Sequence, residues 1–171
     1  MRASLAVVCS VALTLFAIPA AYATDEDLSA CFGAVGTFLT TNVNPSRGED
    51  VGRSLISLTN GGHVFLTDSN EGGEAGIAPF TEGRGAWRCV SDEAGRLHIL
   101  ATVLDFTFKT EAFPEQKIAR LNYDAIYDEA TDMLSADVKI YFMPIDADPM
   151  DPANLKDPTP NQISGVRITA Q

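Results

Sequence analysis

The chain has little of what signature chemistry is built from. Among 171 residues there are two histidines, three cysteines and one tryptophan. His63 and His98 stand far apart, so a zinc cluster is excluded and no metal is expected. There is no G-x-S-x-G elbow for a nucleophilic serine, no P-loop and no G-x-G-x-x-G turn. Gly83-Arg84-Gly85 is a lone glycine pair and carries no phosphate signal, so no cofactor is implied. Basic residues are also scarce, with 12 Lys+Arg against 23 Asp+Glu and a net charge of −11. Such a charge favours solubility and repels nucleic acid and anionic lipid. No basic stretch laced with aromatics suggests a nucleic-acid partner. Helical periodicity is missing too, apart from a short turn over 25–32.

What is present begins with a leader. Arg2 supplies a positive start, Leu5 to Ile18 is apolar and uncharged, and Ala21-Tyr22-Ala23 is a small-x-small cleavage site. This is the build of a secretory signal peptide over residues 1–23, cleaved after Ala23. The apolar run is short for a membrane span, and Cys9 lies inside it rather than at a lipoprotein cleavage point. Residues 24–171 are then expected as one exported domain, secreted or periplasmic, with no membrane attachment. Cys31 and Cys89 remain after cleavage. In an oxidising compartment two cysteines in a small domain commonly pair, and a loop of this length would gain roughly 4 kcal/mol from the cross-link. The alternative is two separate thiols, one of them reactive.

After the leader the sequence reads as strands separated by turn signals. Eight strands are expected: 35–43, 53–58, 63–68, 85–91, 96–109, 118–128, 133–143 and 163–169. Asn60-Gly61-Gly62, Asp92-Glu93-Ala94-Gly95 and Glu129-Ala130-Thr131-Asp132 make the hairpin turns. Two longer loops interrupt them, a glycine-rich acidic one over 69–83 and a proline- and aspartate-rich one over 144–160. Neighbouring strands in meander order predict an all-β antiparallel up-and-down barrel of about eight strands, with a β-sandwich as the alternative. Period-two alternation assigns the faces. On the fifth strand His98, Leu100, Thr102, Leu104, Phe106 and Phe108 are expected inside, and Asp105 outside beside Thr107 and Lys109 as a solvated aspartate. On the sixth, Leu121, Tyr123, Ala125 and Tyr127 share the inner face. On the seventh, Leu134, Ala136, Val138, Ile140 and Phe142 do.

Gly36-Thr37-Phe38, the turn Asn60-Gly61-Gly62, Gly85-Ala86-Trp87 and Gly165-Val166-Arg167-Ile168 together give a layout similar to calycin-type barrels, in particular the small secreted lipocalin-like proteins of bacteria. The resemblance covers most of the chain after the leader in spacing. In that pattern a tryptophan opens the first strand and an arginine near the last strand packs over it. Here Phe38 stands in the tryptophan's place and Arg167 is the matching arginine. The resemblance implies a barrel with an internal apolar pocket; it transfers no catalytic residue. Phe38, Trp87 and Arg167 are expected in structural roles, Trp87 against the cysteine pair and Arg167 as a cation–π contact on Phe38.

An eight-stranded barrel is either filled by side chains or just wide enough for one small ligand. The leading expectation is a binding protein for a small apolar molecule, with Leu100, Leu104, Phe106, Tyr123, Tyr127 and Phe142 lining the cavity. A barrel enzyme of the cyclase, isomerase or decarboxylase type would leave no motif, and its acid–base candidates are His98, Tyr123 and Tyr127. A filled barrel acting through its acidic loops is the third reading. Asp146, Asp148 and Asp151 look like half of a calcium loop, but the central glycine is missing and Asp157 stands where a bidentate glutamate belongs.

Overall fold

A computed structural model describes residues 29–45, 49–74 and 76–170. The leader expected at 1–23 lies outside these residues. The chain forms β1 (Gly36–Asn44), β2 (Glu49–Leu58), β3 (His63–Asp68), β4 (Gly83–Glu93), β5 (Arg96–Phe106), β6 (Lys117–Asp128), β7 (Met133–Pro144) and β8 (Thr159–Arg167). Each strand pairs antiparallel with its neighbour in sequence, and β8 returns to pair with β1, so the sheet closes into an up-and-down barrel rather than a sandwich. Two single 3-10 turns, Phe32–Ala34 and Pro152–Asn154, lie outside the sheet.

The turns follow from local chemistry. Between β4 and β5, Ala94 and Gly95 both adopt positive φ, 54° and 83°, the mirror-image turn whose twist matches flanking strands. Between β6 and β7 the Asp128 carboxylate accepts from the backbone amides of Ala130 and Thr131. Closure needs small residues where backbones crowd. A Cβ on Gly165 of β8 would fall inside contact distance of the Leu39 carbonyl on β1.

Register fixes the faces. In an antiparallel pair, residues directly opposite share a face. Tyr123 points into the barrel and stands opposite Ala101. The inner face of β5 is therefore Leu97, Ile99, Ala101, Val103 and Asp105, all buried. This reverses the expectation for β5: His98, Leu100, Leu104 and Phe106 lie on the outer face, and Asp105 lies inside. The physical reason is that β5 is apolar on both faces, so its own alternation does not choose between them, and a one-residue slip exchanges the two. Leu104 is covered from outside, packing with Ile118, Tyr141, Met143, Ala147 and Leu155 in a second small core. The segment after β7 forms this cover. Arg120 pins it by donating to the Pro149 carbonyl at 2.7 Å, and Asp148 and Asp151 cap its turns through the amides of Met150 and Ala153.

One end of the barrel is shut. Phe38 is wholly buried and meets Tyr127 edge-on at 5.6 Å between ring centres. The Arg167 guanidinium lies 5.1 Å over Phe38 and 4.9 Å over Tyr127. It also donates to Asp132 at 2.8 Å and to the Gly33 and Val35 carbonyls of the segment that crosses this end. The Tyr127 hydroxyl donates to the same Asp132 carboxylate at 2.5 Å. Cys31 of that segment is bonded to Cys89 of β4, with 5.5 Å between Cα atoms. Trp87 is buried in the same core cluster as this disulfide, and its indole N–H donates to the Thr59 carbonyl at 2.9 Å.

Candidate functional site

The interior changes character along the barrel axis. Around Phe38, Leu58, Val64, Leu97, Ile99 and Leu134, large side chains fill the space and leave only an apolar void of about 20 Å³. Toward the other end the void becomes an open cavity of about 790 Å³, within the range of pockets that hold drug-sized molecules. Tyr123 and Ile163 border both spaces and so form the partition.

The cavity base is polar because several inward strand positions near this end carry polar groups. β1 supplies Asn42, β2 Ser54, β3 Asp68, β5 Asp105, β6 Tyr123 and β8 Asn161. The upper wall is apolar, with Leu121, Ile140 and Phe142 on β6 and β7. Ile77, Phe80 and Phe113 come from the loops over the mouth. The loop after β3 is held in place there: the amide of Phe108 donates to the Pro79 carbonyl at 2.7 Å, and that of Thr81 to Phe106 at 3.0 Å.

Three base residues form one network. The Asn42 amide nitrogen donates to the Ser54 hydroxyl at 2.7 Å and to Asp68 at 3.3 Å, and the Ser54 hydroxyl donates to the same Asp68 oxygen. Both bonds use the Asn42 nitrogen, so its oxygen faces away from Asp68. The Asn42 oxygen is left buried with no partner, and the Asn161 oxygen is in the same condition. Buried polar atoms are nearly always satisfied, so two orphaned acceptors in one cavity mark it as a place for a donor.

Asp105 sits among these groups with 5% of its surface exposed. Burial pushes its carboxyl up to about 7, and the charges of Asp68 and Glu71 add to the effect. Burial also raises Asp68, against the lowering effect of its hydrogen bonds from Ser54 and Asn42. The Tyr123 phenol is pushed well above its ordinary value by burial, then by Asp68 and Asp105. It is a neutral donor throughout the physiological range. Thr107, beside Asp105, uses its hydroxyl on the Lys117 backbone at 2.8 Å.

Of the residues expected to line the site, Tyr123 is at its base and Phe142 at its rim, where Phe142 is 52% exposed. Leu100, Leu104 and Phe106 face outward and do not reach it. Tyr127 is at the shut end, engaged by Arg167 and Asp132. His98 is on the outer wall, its Nε2 2.6 Å from Asp124. Sequence reasoning missed Asn42, Ser54, Asp68, Asp105 and Asn161. The available signal was Asp105 itself, an aspartate inside the apolar run Val103-Leu104-Asp105-Phe106, read there as solvated.

No protein-family model matches the chain, and no curated protein or solved structure matches it either.

Proposed function

We propose that this is an exported binding protein of the calycin type that holds one small molecule in the open half of its barrel. The observation that carries the reading is the contrast between a half packed to a 20 Å³ void and a half open to 790 Å³ in the same sheet. A barrel needing only to be stable would fill both. The disulfide supports an oxidising compartment, which agrees with export by the leader at 1–23. Native mass spectrometry of the mature protein, purified without detergent, tests the reading. A bound small molecule that leaves on denaturation is the expected result, on a chain beginning at Thr24. A clean apo mass, together with failure of fluorescent apolar probes to bind, would overturn it.

Asp105 favours a second reading, a barrel enzyme. A carboxyl with a pKa of about 7, beside a neutral tyrosine in a partly apolar cavity, can exchange a proton with a substrate near neutral pH. Such an enzyme would shift a C–H proton or a double bond without a cofactor. Incubating the released ligand with protein in heavy water tests this: deuterium entering carbon with the native protein and not with Asp105→Asn would support it. No exchange with the native protein would leave binding alone.

A further inference from the structure

We infer that the molecule held in the cavity is an amphipathic amine, its positively charged donor head at the base against Asp105, Asp68 and the free oxygen of Asn42, and its apolar tail along Leu121, Ile140 and Phe142 toward the mouth. This rests on the binding reading above and names the ligand class for that site. The base offers acceptors: two carboxylates and the orphaned oxygens of Asn42 and Asn161. Asn42 is only 8% exposed, and its nitrogen is already committed to Ser54 and Asp68, so its oxygen can be satisfied only by a donor entering the cavity. The base also carries neutral donors, the Tyr123 phenol and the Asn161 amide nitrogen, while those of Asn42 and Ser54 are spent within the network. A carboxylate head would meet the like charge of Asp105 above pH 7 in a site of reduced dielectric. An alcohol would satisfy one acceptor and leave the rest unpaired, a cost that an ammonium group with three donors avoids.

The charged groups facing Asp105 are few among the described residues. Asp68 stands on β3, Glu71 in the turn after it and Tyr123 on β6, with Glu74, Glu115 and Lys117 at the rim. Among the described side chains, those that β1, β2, β7 and β8 bring to the cavity are uncharged. A cation at the base favours the ionised form of Asp105, so binding below pH 7 must expel its proton. Affinity for an amine therefore rises with pH, by about tenfold from pH 6 to pH 8.

Titration calorimetry of the mature protein with decylammonium, decanol and decanoate at pH 6, 7 and 8 tests the assignment. Decylammonium should bind at least tenfold tighter than decanol at pH 8, with decanoate the weakest, and only the amine should show the rise with pH. Asp105→Asn, checked for folding by its melting curve, should flatten that rise. Asn42→Leu should weaken amine binding and spare decanol. If decanol or decanoate binds as tightly as the amine, the head-group assignment fails while the binding reading stands. If none of the three binds, the amine assignment falls, and the native mass decides the binding reading.

Discussion

Below Tyr123 the barrel holds Phe38, Leu97, Ile99 and Leu134 packed almost without gaps; above it the same strands present Asn42, Ser54, Asp68 and Asp105 to a cavity. The sheet is continuous through both regions, so the difference lies in the residues at alternate inward positions. The lower half has what stability requires, large apolar side chains with no unsatisfied polar atom among its core residues. The upper half violates that requirement repeatedly, with a buried carboxyl held near neutrality and two acceptors without partners. Local departures of this kind concentrate where a protein binds or reacts. The division of labour suggests that stability and recognition can be perturbed separately.

The largest separable effect is expected at the packed end. Phe38→Ala should cost about 3–5 kcal/mol in denaturant unfolding while leaving the ligand affinity of the folded fraction intact. A large loss of affinity there would show that the two halves are coupled. Asp105→Asn should act in the opposite sense. The carboxyl's folded pKa of about 7 lies above its unfolded value, so the native state holds the extra proton between about pH 4 and 7 and loses stability as pH rises through that window. Removing the charge should raise stability at pH 8 by roughly 2–4 kcal/mol and change little at pH 4. Equal effects at both pH values would refute the buried-charge account. Arg167→Leu removes the guanidinium that spans Phe38, Tyr127 and Asp132, and a loss of roughly 1–3 kcal/mol with unchanged binding is expected. His98→Ala, on the outer wall, should fall within about 0.5 kcal/mol of the native protein and leave ligand binding unaltered; a binding defect would put the site on the wrong face of β5.

How much of this was legible in the sequence depends on whether one strand or several decide a feature. Strand order and closure could be read because the tight hairpins carry their own turn residues, such as Asn60-Gly61-Gly62, and β6 and β7 their own alternation. The disulfide followed from two remaining cysteines and an oxidising compartment. The stacking of Arg167 on Phe38 followed from the calycin resemblance, with phenylalanine serving where tryptophan was expected. The face of β5 was not legible, because Leu100 and Leu104 look as interior as Ile99 and Val103. Only pairing with Tyr123 separates them, together with the cover that 145–158 lays over Leu104. Once that face was misjudged, Asp105 was placed outside. The Asn42–Ser54–Asp68 network spans three strands and has no signature within any of them.

The shut end has one further consequence. Arg167 grips the carbonyls of Gly33 and Val35, and the amide of Ile168 donates to Thr37 at 2.8 Å. The segment 33–35 and the stretch after β8 therefore meet at the shut end, opposite the cavity. A label attached to either stretch should thus leave the cavity mouth unobstructed.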